Sequence, residues 1–138
     1  MIKSLLISLG TVLAAVLVGT AGITYLALEL GEVTIVETRT PNGAPRYTHI
    51  WYVQEGETLY LEAGHPNNPW VRDLEQMQTL TLSGEGISGE YLFEPRLNAN
   101  DHERIRQMMR GKYGWRDWWI GVAFDTSRSW LIELEPAG

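Results

Sequence analysis

VTIVETRTPNGAPRYTHIWYV, residues Val33 to Val53, decides the architecture. Val33 to Thr38 and Tyr47 to Val53 are rich in β-branched and aromatic residues, with TPNGAP between them, which reads as strand, turn, strand. Pairing Arg39 with Arg46 across the turn makes Glu37 face Thr48, Ile35 face Ile50 and Val33 face Tyr52, an apolar cluster on one face. It also sets the two arginines side by side. Like charges opposed across strands repel, so the pair calls for a bound anion or a neutralising carboxylate such as Glu37.

Downstream, a Glu55-Gly56 turn leads to Thr58 to Ala63, whose alternation puts Leu59 and Leu61 on one face of a third strand. GHPNNP, residues 64–69, is a loop, and apolar residues at 70, 71, 74 and 77 predict a short amphipathic helix. Thr79 to Leu82 and Ile87 to Phe93 are strands around a tight SGEG turn. Asn100 followed by Glu103 has capping-box spacing, and Ile105, Met108 and Met109 then share a face of a helix expected to close near Gly111. KYGWRDWWIGVAFD, residues 112–125, reads both ways, and Ser129 to Leu134 alternates as a last strand. The expectation is a mainly β domain: a six- or seven-stranded antiparallel barrel with short helices over its openings.

Upstream the chain changes character. Positions 4–28 carry no charged side chain, and 25 helical residues extend about 37 Å against about 30 Å of hydrocarbon. Gly10, Gly19 and Gly22 weaken a soluble helix but suit close helix packing in lipid, and Tyr25 sits where an interfacial aromatic belongs. Residues 1–30 read as a transmembrane anchor, and residues 31–138 as one soluble domain. The rival is a cleaved signal peptide, with Lys3 as its charged region and cleavage after Ala21; the apolar run continues seven residues past that site. Lys3 against Glu29, Glu32 and Glu37 leans towards a cytoplasmic amino terminus, but the side holding the domain stays open.

The chain has no Cys, which excludes disulfides, thiolate metal sites and cysteine nucleophiles. A net charge of -6 argues against a general nucleic-acid binder. His49, His65 and His102 lack helical metal-ligand spacing, so no metal site is expected. No GxSxG elbow, Walker A loop or GxGxxG follows a strand, and the pairs Glu55/Glu57 and Glu133/Glu135 look like solvent faces. No catalytic residue is assigned. Between Arg96 and Arg116 lie six of the eleven basic residues, interleaved with or followed by Tyr113, Trp115, Trp118 and Trp119. That mixture suits an anionic planar ligand or anionic lipid, and equally a solvated helix face beside an aromatic core.

Thr38 to Gln76 resembles the deazaflavin (F420)-dependent nitroreductase family and, more broadly, the flavin-binding split barrels related to pyridoxamine 5'-phosphate oxidase. The matching positions are Thr38, Gly43, Arg46, Trp51 with Tyr52, Ala63 with Gly64, and Pro69 with Trp70. The resemblance implies a split β-barrel in which the turn after the first strand holds the cofactor's phosphate, making Arg39, Asn42, Gly43 and Arg46 cofactor-binding. By the same resemblance Gly64, His65 and Trp70 line the ring pocket, and Tyr113 and Trp115 occupy the place of substrate-facing aromatics. The family's Lys-Ser in that turn is Pro41-Asn42 here. That removes a cation from the phosphate cradle and leaves flavin mononucleotide (FMN) or a haem-type ligand open beside F420.

The expected function is a membrane-anchored oxidoreductase that binds a deazaflavin or flavin and passes hydride to a small apolar acceptor of quinone or nitroaromatic type. The cofactor would supply the chemistry, which suits a chain without an acid-base dyad. The alternative is a non-catalytic barrel that sequesters a cofactor, or a membrane-tethered interaction module. Pairing as a homodimer stays open.

Overall fold

The computed structural model describes residues 2–84, 87–94 and 101–137. In chain order these form α1 (Ile2–Glu29), β1 (Val33–Arg39), β2 (Pro45–Glu55), β3 (Thr58–Ala63) and α2 (Pro69–Asp73), which continues as a 3-10 turn (Leu74–Gln76). Then come β4 (Thr79–Gly84), β5 (Ile87–Glu94), α3 (His102–Tyr113), α4 (Trp115–Ala123), a second 3-10 turn (Thr126–Arg128) and β6 (Trp130–Pro136). The six strands close into an antiparallel barrel in the order β1-β2-β3-β6-β5-β4, with β4 paired back to β1. Closure leaves no long unpaired edge.

The hairpin register differs by one residue from the expected one. Arg39 pairs with Pro45 and Thr38 with Arg46; Ile35 faces His49, and Val33 faces Trp51. The cause is the turn. Thr40 N donates to the Ala44 carbonyl (2.9 Å) and Gly43 N to the Thr40 carbonyl (2.8 Å), closing a three-residue Pro41-Asn42-Gly43 loop. Gly43 adopts φ +82°, the left-handed position that ends such a loop at no steric cost. An odd loop slips the pairing by one and flips every side chain to the other face. Thr34, Val36 and Thr38 therefore point into the barrel, while Val33 and Ile35 look outwards, half buried.

Two cores result. Inside the barrel, Val36, Ile50, Tyr52, Leu61, Leu82 and Leu134 pack with Trp70, Val71 and Leu74, so α2 and its 3-10 turn plug one end. Outside it, Trp51, Val53, Tyr60 and Leu131 pack against Ile105, Met109 and Tyr113 of α3. Hence α3 covers the wall, not an opening. Each fully buried aliphatic side chain contributes about 1.5–3 kcal/mol. α3 runs through Gly111 and stops at Gly114, which takes φ 55°. Asn100, the expected cap, lies outside the described residues. The ambiguous stretch is a helix, α4, and the helix expected over 70–77 divides into an α and a 3-10 piece.

α1 contains a 24-residue span, Leu6–Glu29, of mean hydropathy 2.2 whose most apolar window is unburied. By length and composition it can cross a membrane. It passes into β1 through three residues: Leu30 N bonds the Leu26 carbonyl and Val33 N the Gly31 carbonyl, each at 2.9 Å. Its last turns are fastened to the barrel. Ala27 is fully buried, Trp51 Nε1 donates to the Leu28 carbonyl (3.4 Å), and Glu29 Oε2 meets His49 Nδ1 at 2.8 Å.

Candidate functional site

Because of the observed register, Arg46 lies on the inward face of β2 at the mouth of the barrel, opposite Thr38. α2 is started there by Pro69, whose missing N–H costs nothing at a first helical position, with the Asn68 carbonyl accepting from Val71 N (3.0 Å) and Arg72 N (3.2 Å). The helix delivers Asp73, 5% exposed, beneath Arg46. Asp73 Oδ2 accepts from Arg46 Nε (2.7 Å) and from Thr38 Oγ1 (2.8 Å). Arg46 is thus held from one edge. Its Nη1 and Nη2 have no partner among the described residues, and its side chain is 35% exposed.

Arg46 opens onto a cavity of about 680 Å³ bounded by β2, the loop at 64–69, the start of α2, the last turn of α1 and the end of α4. Trp51, Trp70, Ile120 and Phe124 supply apolar wall; Arg46, His49, Glu62 and His65 supply polar groups. Among the described residues two polar atoms of this lining are buried without a partner: the indole Nε1 of Trp70 and Oε1 of Glu62. A buried donor or acceptor left unmade costs about 1–3 kcal/mol, so both invite a ligand with polar groups.

Glu62 belongs to a buried ionic cluster. Its Oε2 accepts from Arg106 Nη1 (2.6 Å), and Arg106 Nη2 donates to Asp117 Oδ1 (2.5 Å). Burial pushes the Glu62 carboxyl up from its ordinary value, against the pull of the Arg106 guanidinium and, more weakly, of nearby Ser129. The Ser129 hydroxyl gives its proton to the Thr126 carbonyl (2.9 Å), so Glu62 Oε1 stays without a donor.

Of the expected site residues, Arg46, Gly64, His65 and Trp70 line the cavity; Arg39, Asn42, Gly43, Tyr113 and Trp115 are not among its described lining. Arg39 is on the outer face, paired with Glu37 at 3.0 Å, so the two arginines do not form a side-by-side clamp. Asn42 turns inward on the loop, its Oδ1 accepting from the Thr40 hydroxyl, and Gly43 gives the loop its left-handed residue. Tyr113 is structural cement. Its ring stacks on Trp51 (centroids 4.2 Å apart, planes 7°), and its hydroxyl accepts from Tyr52 N (3.0 Å) and donates to the Glu32 carbonyl (2.8 Å). Burial pushes the Tyr113 phenol well above its usual range, so it stays protonated. Trp115 stands on the surface.

Four members of the basic stretch are matched by acids, while Arg116 lies 5.6 Å from the Trp115 ring centroid, its Nε buried without a partner among the described residues. Arg104 meets Glu55 at 2.5 Å, Arg110 meets Glu103 at 3.5 Å, Lys112 meets Glu32 at 3.1 Å, and Arg106 is buried in its cluster. Arg96 lies outside the described residues. Lys112 also rests 3.3 Å over the Tyr52 ring, and burial holds its ammonium below the ordinary lysine value despite Glu32. Asp73 and Glu62 were not singled out from sequence, Trp51 entered only as a position matching the resembled family, and His49 was weighed as a metal ligand and set aside. Glu62 alternates outward from Leu61 and Ala63 on β3, the pattern of a solvated residue, and it is the packing of α3 and α4 across that face that buries it.

The comparisons with known proteins agree with this geometry. No family model and no curated relative matches the sequence. Solved structures do. An F420 reductase is similar at TM-score 0.56 and 14% identity, over 81% of this chain and 91% of that one. A pyridoxamine 5'-phosphate oxidase-like protein of Listeria innocua is similar at TM-score 0.58 and 16% identity, over 83% and 90%. The haem storage protein of Vibrio cholerae is similar at TM-score 0.59 and 14% identity, over 86% and 89%. The fold is a split barrel. Identities this low show the fold and leave substrate and cofactor to the site.

Proposed function

We propose that this split barrel binds a flavin-type cofactor, F420 or FMN, in the cavity at Arg46 and serves as a reductase for a small apolar acceptor of quinone or nitroaromatic type. The observation that carries it is a largely apolar cavity holding one guanidinium steadied by a buried carboxylate, with both terminal nitrogens left over. A guanidinium fork suits a phosphate or carboxylate tail, and steadying one edge lowers the entropy lost on binding. Gly64, His65 and Trp70 border the ring system, and the unmatched Trp70 Nε1 is a donor for a ring carbonyl. Asn42 and Gly43 contribute by shaping the turn that sets the register. When bound, the cofactor supplies the hydride; the chain holds the ring, shields it from water and, at Glu62, keeps a buried carboxyl beside it. α1 is the membrane anchor, which places the site where a lipid-soluble acceptor collects. Absorption titrations of the full chain in micelles with F420 and FMN test the binding, and mixing the reduced complex with a short-chain quinone tests transfer. Binding of neither cofactor overturns the reading; binding without transfer leaves the sequestering barrel.

One observation favours a second reading, haem. His49 lines the cavity with Nδ1 directed at Glu29 Oε2 (2.8 Å), the arrangement that orients a metal-ligating imidazole and leaves Nε2 as the free lone pair. His65 is set the other way: its Nδ1 accepts from Asn67 N (3.0 Å), which puts the proton on Nε2. Haem bound here shifts its Soret band and loses that shift in His49→Ala but not in His65→Ala.

A further inference from the structure

α4 exposes large apolar side chains along one face. Trp115, Trp118 and Val122 are 56%, 67% and 66% exposed at helical spacing, and Phe124 just beyond is 56% exposed. The helix's own carboxylate, Asp117, points the other way into the Arg106 cluster. Such a face is costly in water.

Its height relative to α1 is fixed by a hydrogen bond: Trp119 Nε1 donates to Thr24 Oγ1 at 3.0 Å. Thr24 lies within the apolar span Leu6–Glu29, five residues before its end, which is about 7–8 Å along the axis. α1 joins β1 through three residues and is fastened by Ala27, Leu28 and Glu29, so the barrel cannot lift off on a slack tether. If α1 crosses a bilayer, α4 is carried to the boundary between headgroups and acyl chains, the depth at which tryptophan is enriched.

We infer that α4 is an interfacial helix that lays Trp115, Trp118 and Val122 into the same bilayer that α1 spans, so that the cavity beside it opens at lipid level. The inference rests on the membrane reading of α1. It gives the exposed face an occupant of stated chemistry, the acyl and glycerol region of the lipid. Arg104, Arg106, Arg110 and Lys112 are matched by acids, while Arg116 on α4 lies 5.6 Å from the Trp115 ring centroid with no acid partner among the described residues, so the contact is chiefly apolar with one cation beside it. Leu28 of α1 and Ile120 and Phe124 at the end of α4 wall the cavity, so a lipid-soluble ligand enters from the membrane side.

The chain has no cysteine, so single spin labels report cleanly. The full chain is placed in phosphatidylcholine nanodiscs with a label at Val122→Cys, at Val16→Cys in mid-span, or at Glu57→Cys in the exposed β2–β3 turn. Accessibility to oxygen is compared with accessibility to a water-soluble nickel chelate. The expected oxygen-to-nickel ratio at 122 lies between those at 16 and 57, at least threefold above the latter. A ratio at 122 equal to that at 57, with 16 still in lipid, overturns the inference and leaves the span standing. Protection at 122 from both reagents, with spin-spin broadening, assigns the face to a second copy and overturns it too. A water-like ratio at 16 removes the span itself, and the inference with it.

Discussion

Arg46 and Arg106 sit on the two sides of the same barrel wall, each tied to a buried carboxylate at 2.7 Å or closer, and they differ in what is left over. Arg106, 3% exposed, has both terminal nitrogens engaged, one by Glu62 and one by Asp117, under the cover of α3. Among the described residues Arg46 is held only through Nε, from below, and keeps both terminal nitrogens at the edge of a cavity. The same kind of ion pair is a structural joint where both terminal nitrogens are engaged, with only Nε left unmatched, and a preorganised receptor where they are not. Orientation of the guanidinium decides which.

That contrast breaks first at Arg106. Arg106→Ala leaves Glu62 as a buried acid without its cation and Asp117 with only the exposed Arg110 at 3.7 Å, an expected loss of about 3–5 kcal/mol seen as a large fall in the denaturant midpoint. A loss below about 1 kcal/mol erases the distinction. Asp73→Asn keeps the shape but weakens the hold on Arg46 and Thr38. The expected cost is about 1–3 kcal/mol of stability, accompanied by weaker cofactor binding in equilibrium titration.

Glu62 sharpens the comparison through pH. Its folded-state pKa is raised above 4.5, so the fold holds this proton more tightly than the unfolded chain does. Its contribution is therefore fullest below 4.5 and is lost as pH rises through the raised folded value. In Glu62→Gln that loss is absent, so wild-type minus variant melting temperature falls as pH climbs from about 4.5. A difference that grows instead means that Arg106 outweighs burial. The smallest effect belongs to Arg39, whose exposed pair with Glu37 is solvent-screened. Arg39→Ala shifts stability by less than about 0.5 kcal/mol, measured by the same unfolding curves.

The barrel was legible because its strands alternate and its turns carry Gly, Pro and Asn; the stretch 33–53 alone announces a hairpin. Its register was not. Arg39 and Arg46 look equivalent about the centre of TPNGAP until the Pro41-Asn42-Gly43 loop is recognised as a closed three-residue turn, after which only Arg46 can face inward. Arg46, Gly64, His65 and Trp70 were findable from local motif order. Asp73, Glu62 and His49 were not, since each acquires its meaning from a partner 20 to 44 residues away: Asp73 from Arg46, Glu62 from Arg106, His49 from Glu29. α4 was ambiguous for a related reason. Its apolar side chains lie on more than one face, against α1 as well as outwards, so no single soluble-helix stripe emerges.

The central claim is that one arginine, not two, receives the ligand. Tryptophan-fluorescence titrations of F420 and FMN into the full chain in micelles, run in parallel on wild type, Arg46→Ala and Arg39→Ala, test it most directly. Saturable binding of at least one cofactor is expected, weakened tenfold or more by Arg46→Ala, about 1.4 kcal/mol, and changed less than twofold by Arg39→Ala. Equal weakening by the two substitutions, or no effect of Arg46→Ala on a cofactor that binds, contradicts it.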